Sequence, residues 1–247
     1  MSAKQRVDKL LVSRGLVETR SKAQALIMAG MVYSNTNRVD KPGHQVSEDM
    51  ILEIRKKAHP WVSRGGVKLA HGFQCFPLSV EGRICFDIGS STGGFTDVLL
   101  HNGAEKVYAI DVGRGQLDWR LRNDRRVVVM EGINARYLTH SDVPDLPSII
   151  VCDTSFIGLK TVLPASLNLA APRAELVALI KPQFEVGKGR LGKSGVVRDP
   201  ELHLEVCNSI RRWLSEEMGW NVFGIEQSPI KGPKGNIEFL IFANQAP

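Results

Sequence analysis

Eleven consecutive residues carry the clearest chemical signal in the chain: Asp87-Ile88-Gly89-Ser90-Ser91-Thr92-Gly93-Gly94-Phe95-Thr96-Asp97. An apolar run leads into the acid and glycines follow it, so the pattern predicts a strand, a tight turn and a helix start. Glycines in such a turn accept positive φ and let a ligand lie against bare backbone. Asp111, 24 positions after Asp87, ends a second apolar run, Val107-Tyr108-Ala109-Ile110. A carboxylate at that place can accept from the two hydroxyls of a ribose. Together they describe a nucleoside-cofactor site, with Asp87, Gly89, Ser91, Gly93, Gly94, Phe95, Asp111 and Val112 as its candidate residues. Asn134, after a third apolar run, can face an adenine edge. The glycines do not follow GxGxxG, which makes this a poor nicotinamide fingerprint.

Such a turn needs a sheet to hold it. Beyond residue 64, strand-like runs at 84–87, 107–111, 127–130, 149–153 and 176–180 alternate with helical runs that include 95–101, 158–169 and 200–217. Two more strands follow, around 221–225 and 237–242. This alternation predicts an α/β fold, a doubly wound, Rossmann-like and mostly parallel sheet. Asp153 and Lys181 end the fourth and fifth strands, where open α/β sheets bind their ligands, and Asp153 joins the cofactor candidates. Ahead of the sheet stands a small α+β module. Val7, Leu10 and Leu11 share one helical face and Gly15 closes that helix; Ser21 is placed to cap a second helix over 22–29, which Gly30 ends. Short strands follow at 31–33 and 50–54. Lys56-Lys57-Ala58-His59-Pro60-Trp61 breaks the pattern. The expected division is a module over 1–58, a linker over 59–64 and the larger domain over 65–247.

A hydrophobic fraction of 43% and a charged fraction of 23% are those of an ordinary soluble protein. The net charge of +6 is unevenly spread: residues 1–60 hold 11 Lys and Arg against 6 Asp and Glu. A basic module on a near-neutral body points to a polyanion gripped at one end. The four cysteines form no CxxC pair, so buried reduced thiols are expected, without disulfides or a metal site. The N-terminus has no apolar signal core, and no apolar run nears the ~20 residues that span a bilayer. A cytoplasmic protein with no membrane partner is expected.

In the module, Arg6, Lys9, Arg20 and Lys22 fall near one another, with Arg14 at the margin, and can contact phosphates. A solvated basic face is the plainer alternative. The words Arg6-Val-Asp-Lys-Leu-Leu-Val, Gly15-Leu-Val-Glu-Thr-Arg-Ser-Lys-Ala, Ile27-Met-Ala-Gly-Met-Val and Lys41-Pro-Gly resemble, in order and spacing over about 50 residues, the S4 RNA-binding domain. That resemblance implies recognition of the shape of folded RNA.

The turn itself, DxGxxxGGF, resembles S-adenosylmethionine (SAM)-dependent methyltransferases of the FtsJ-like ribose 2′-O class. Methylating a ribose 2′-hydroxyl requires the hydroxyl to lose its proton as it attacks the methyl group in line. A lysine can be the base when burial lowers its pKa well below ~10.4, and carboxylates must orient it. Lys68, Asp153, Lys181 and Glu238 are such a set. Each also has a structural alternative: Lys68 solvated on a helix, Asp153 capping a helix, Lys181 ending a strand, Glu238 facing water from an edge strand. The four together resemble the Lys-Asp-Lys-Glu tetrad of 2′-O-ribose methyltransferases. With Trp61-Val-Ser-Arg-Gly-Gly, Asp111–Gln116, Ile180–Glu185 and Gly195-Val-Val-Arg-Asp-Pro, nearly the whole chain is similar to the TlyA family. Thr154, where an apolar residue is expected, is one departure. Family members join an S4 domain to an FtsJ-like domain and methylate cytidine ribose in ribosomal RNA. The resemblance implies SAM as cofactor, Lys181 as general base, and ribosomal RNA or a ribosomal subunit as partner.

Gly187 to Ser194 also satisfies the phosphate-loop pattern GxxxxGK[ST]. That loop needs a strand directly before it and a helix directly after, and here neither adjoins it. A basic flap over RNA is expected instead, with Lys188, Arg190 and Lys193, and Arg64 elsewhere, as phosphate contacts. A non-catalytic RNA-binding or ribosome-assembly factor that keeps the fold is the alternative function. A pore-former is disfavoured, since neither spanning nor barrel segments are present.

Overall fold

The computed structural model describes residues 4–28, 30–55, 59–192 and 195–245, apart from the side chains of Lys188 and Pro233. The chain divides into two compact units, Met1–Pro60 and Trp61–Pro247.

In the first unit, strand β1 (Lys4–Arg6) runs straight into helix α1 (Val7–Ser13), and helix α2 (Arg20–Met28) follows. The α2 helix begins earlier than its sequence suggests. Thr19, not Ser21, is its cap: the Thr19 hydroxyl accepts from the Lys22 amide at 3.2 Å, and Ser21 lies inside the first turn. Strands β2 (Val32–Ser34), β3 (Asn37–Arg38), β4 (Gln45–Ser47) and β5 (Glu53–Ile54) complete the unit. β1 pairs with β4, and β3-β2-β5 form a second small sheet. Only residues 53–54 of the expected strand at 50–54 are extended in a ladder; Leu52 is instead buried in the core with Val7, Leu11, Ala23, Ile27 and Val32.

The second unit opens with helix α3 (Gly65–Cys75). Its strands are β6 (Ile84–Ile88), β7 (Lys106–Asp111), β8 (Val127–Glu131), β9 (Ile149–Cys152), β10 (Glu175–Ile180), β11 (Trp220–Gln227) and β12 (Phe239–Gln245). Helix α4 (Gly94–His101) follows β6, and α5 (Trp119–Arg122) precedes β8. The expected helix over 158–169 is two short helices, α6 (Leu159–Val162) and α7 (Pro164–Asn168), because Pro164 has no amide to continue the first. Helix α8 (Pro182–Glu185) follows β10, and α9 (Pro200–Arg212) unwinds into a π turn over Trp213–Glu217.

The seven strands form one sheet in the order β11-β12-β10-β9-β6-β7-β8. All neighbours are parallel except around β12, which runs antiparallel to both β10 and β11. The central strands are mostly apolar because both faces are covered. Phe86, Ile88, Ile110 and Ile150 face the layer of α7 and α9, whereas Cys85, Val107, Ile149 and Val177 face α3 and α4. Chain order reverses between β6 and β9, and the carboxyl ends of those strands form the crevice where such sheets bind ligands. The four cysteines are unpaired; Cys85, Cys152 and Cys207 are buried as expected, but Cys75 is exposed.

Candidate active site

β6 ends at Ile88, and the chain turns back through Gly89 at φ +80°, Ser91 at +48° and Gly93 at +92° before α4 begins. At Gly89 a Cβ would press on Thr154 at 2.8 Å, so only glycine lets the β6 and β9 ends approach. Asp111 stands at the end of β7 and accepts from Ser91 N at 2.8 Å and Gly113 N at 2.7 Å, which ties the two loops together. Ser91 Oγ donates to Gln116 at 3.2 Å. Asp87 is fully buried under the turn. Its Oδ2 accepts from the amide and hydroxyl of Thr96, at 2.9 and 2.6 Å, while Oδ1 has no partner. Burial, with the charges of Asp153 and Asp111 adding to it, pushes the Asp87 carboxyl up to about 7.

Two adjoining clefts open on this turn and share Gly89, Ser91, Asp153 and Ser155. The larger, about 780 Å³, lies over Asp111, Val112, Ile133 and Asn134. Asn134 is in the expected cleft, but its Oδ1 already accepts from Arg136 N at 3.2 Å. The smaller cleft, about 310 Å³, is lined by Lys68, Asp87, Phe95, Asp153 and Lys181 among others.

Lys68, Asp153 and Lys181 line that cleft, and Glu238 joins them from beneath it. Lys68 comes from α3, Asp153 from the end of β9, Lys181 from the end of β10, and Glu238 from the residue preceding β12. Lys68 Nζ lies 2.8 Å from Glu238 Oε2 and 3.3 Å from Asp153 Oδ2. Lys181 Nζ lies 2.6 Å from Asp153 Oδ1 and donates to Ser155 Oγ at 3.1 Å. Two lysines alternate with two carboxylic side chains, so each buried group has a partner of the opposite type. The structural alternatives fail for Lys68, Asp153 and Glu238, whereas Lys181 does stand at the end of β10. Lys68 and Lys181 are buried, and α6 is capped at Gly158 while the Glu185 carboxylate, not Asp153, accepts from Leu159 N. Glu238 corrects the expected placement: it precedes the last strand rather than lying in it, and it is fully buried, not turned to water.

The FtsJ-like methyltransferase family model matches residues 61–245, and the S4 domain model matches residues 5–52. The 16S/23S rRNA (cytidine-2′-O)-methyltransferase TlyA of Mycobacterium tuberculosis is 46% identical over 243 residues, covering 98% of this chain and 90% of that protein. The chain belongs to the TlyA family. It is a methyltransferase with an S4 domain at its N-terminus. A solved chain from Streptococcus thermophilus that carries a provisional hemolysin name covers all of this chain and 90% of its own, at 44% identity and a TM-score of 0.76. The N-methyltransferase NodS of Bradyrhizobium japonicum, at 13% identity, matches 74% of this chain and 99% of its own with a TM-score of 0.51, and shares the fold alone.

The RNA-contact candidates of this TlyA-family chain are only partly free. In the S4 unit, Arg6 and Arg20 both bond to the buried Asp8, at 2.8 and 3.0 Å, with Gln24 as a third donor. The Arg6 guanidinium, with Gln24 and Arg20, holds the Asp8 carboxyl well below the usual range. Lys22 pairs with Glu18, and Lys9 is exposed. In the methyltransferase unit, Arg64 is exposed beside the smaller cleft and donates to the Lys231 carbonyl at 3.0 Å. Arg190 is ion-paired with Glu205. Lys193 and the Lys188 side chain lie outside the described residues. α8 stands between β10 and Gly187, which leaves the phosphate-loop match without its strand. Among the described residues, no three His, Cys, Asp or Glu side chains gather as metal ligands. No helix there is long and apolar enough to cross a membrane.

Sequence reasoning missed two groups. Ser155 carries no signal beyond its position two residues after Asp153. Glu131, at the end of β8, accepts from the amides of Gly115, Gln116 and Leu117 at 2.8, 2.9 and 3.1 Å. Arg122 also contacts it, and guanidinium and amides together hold its carboxyl at about 2.

Proposed function

We propose that this chain methylates a ribose 2′-hydroxyl of ribosomal RNA, at cytidine, using SAM. The observation that carries the reading is the buried Lys68-Asp153-Lys181-Glu238 cluster beside the glycine-rich turn. The cofactor site passes a test of fit. Gly89 and Gly93 hold backbone that a side chain would block, Asp87 Oδ1 is buried without a donor, and Asp111 stands at the mouth of the larger cleft. Asp87, Gly89, Ser91, Gly93, Gly94, Phe95, Asp111, Val112 and Asn134 would hold the cofactor, which supplies the methyl group. The rRNA methyltransferase activity for which the M. tuberculosis relative is named, and the S4 domain, support ribosomal RNA as the acceptor.

Lys181 takes the proton of the 2′-hydroxyl at its Nζ, leaving the oxygen the electron pair with which it receives the methyl group. Asp153 holds both lysines from one carboxylate, and Glu238 holds Lys68 from the far side. Lys68, Lys181 and Glu238 are buried, and burial keeps these interactions strong.

The test is transfer of labelled methyl from SAM to unmodified ribosomal subunits, with Lys181→Ala alongside. Lys181 is the right probe because Asp153 keeps Lys68 as a partner in its absence. Removing one side of a buried pair outright costs about 3–5 kcal/mol, so Lys68 and Glu238 variants risk unfolding. Label at a ribose 2′-oxygen, lost in Lys181→Ala while SAM still binds, is the expected result. Substantial turnover in the variant overturns the base assignment. No label in any ribosomal RNA favours an RNA-binding factor that keeps the fold.

A further inference from the structure

We propose that Ser155 is a positioning residue for the proton transfer: its hydroxyl sets the direction of the Lys181 amine. The inference rests on Lys181 being the base.

Lys181 reaches the cleft on a flexible four-carbon stem, and its ion pair with Asp153 is an attraction of charge more than of direction. The two atoms are 2.6 Å apart, yet no donor is aligned on Asp153 Oδ1. Among the described residues, the one aligned hydrogen bond that the amine makes is to Ser155 Oγ at 3.1 Å. To accept a proton, an amine must present a lone pair beside its two N–H bonds. With one N–H on Ser155 and the other turned toward Asp153, the lone pair is left to the cleft that Ser155, Lys68 and Asp87 line. Without the hydroxyl, rotation about the Cε–Nζ bond presents an N–H there as readily as the lone pair.

Position in the chain supports the same role. Ser155 lies two residues past Asp153, so one short segment after β9 carries both groups that the Lys181 amine meets, Asp153 Oδ1 at 2.6 Å and Ser155 Oγ at 3.1 Å.

Ser155→Ala in the full-length protein should lower kcat about tenfold, the worth of one aligned hydrogen bond. KM for both substrates, and SAM affinity by calorimetry, should stay within about twofold of the parent. Ser155→Thr, which restores a hydroxyl, should recover most of the rate. Full turnover in Ser155→Ala, a matching loss of SAM affinity, or no recovery in Ser155→Thr overturns the proposal. Lys181→Ala run in parallel separates the two ideas. If it is inactive while Ser155→Ala runs at full rate, only the Ser155 role falls; if it turns over, the base assignment falls and this role with it.

Discussion

Asp87 and Asp153 are two acids at the ends of adjacent strands, and their surroundings give them opposite tasks. Asp153 has a lysine on each side. Asp87 has no cation in contact, only the hydroxyl and amide of Thr96 on one oxygen. Burial without a counter-charge raises its carboxyl to about 7, whereas the unfolded chain releases that proton near pH 4. Between those limits the folded state holds a proton that the unfolded state has lost. The stabilisation is present at the acid end and is lost as pH rises through about 7. Asp87→Asn removes this dependence. Its melting temperature relative to the parent should therefore shift in the variant's favour between pH 5 and pH 8, and equal differences at both pH values would show that Asp87 stays ionised throughout. Asp87 could be named from sequence as a turn acid, but its titration could not, because the absence of a counter-ion is a property of the packed site.

At the scale of elements, the loop after β7 is shaped from the end of β8. One Glu131 carboxylate gathers three successive loop amides, and the same loop carries Gln116 to Ser91 and Gly113 to Asp111. Glu131→Ala frees the loop while leaving every residue of the glycine-rich turn in place. Its SAM dissociation constant should rise about tenfold or more through lost preorganisation; an unchanged constant measured by calorimetry would show that the loop holds its shape alone. The five parallel strands were legible from apolar runs to within a residue at each end, since strands covered on both faces are mostly apolar; the last strand starts two residues later and ends three later than expected. Helix α3 was not, because Gly65, Gly66 and Gly72 weaken its helical signal. Gly66 is required where it is: a Cβ there would run into Trp61.

For the whole molecule, the excess of basic charge lies in the first 60 residues, while the candidate reaction site lies wholly in the second unit. Removing residues 1–58 should leave SAM binding intact, weaken binding to ribosomal RNA and flatten its dependence on salt, since fewer phosphates would be neutralised. Unchanged RNA affinity in a filter-binding salt titration would show that the basic unit is not the grip.

The chain's own order of residues determined the succession of an S4 unit and an alternating α/β sheet, the glycine-rich turn, and the identity of the four tetrad candidates. The S4 unit and the tetrad rest on resemblance to known families; the sheet and the turn are local features, periods of two and 3.6 residues, glycines at a turn and an acid at a strand end. What remained was decided by packing. Lys68 and Glu238 are 170 residues apart and meet only because α3 and the start of β12 converge on the end of β9. Asp8 claims Arg6 and Arg20, which composition alone leaves as free cations. Ser155 gains a partner because the segment after β9 comes within 3.1 Å of the Lys181 amine at the end of β10. Charge pairing and hydrogen-bond direction depend on distances of a few ångströms between remote segments, and only the folded chain sets those distances.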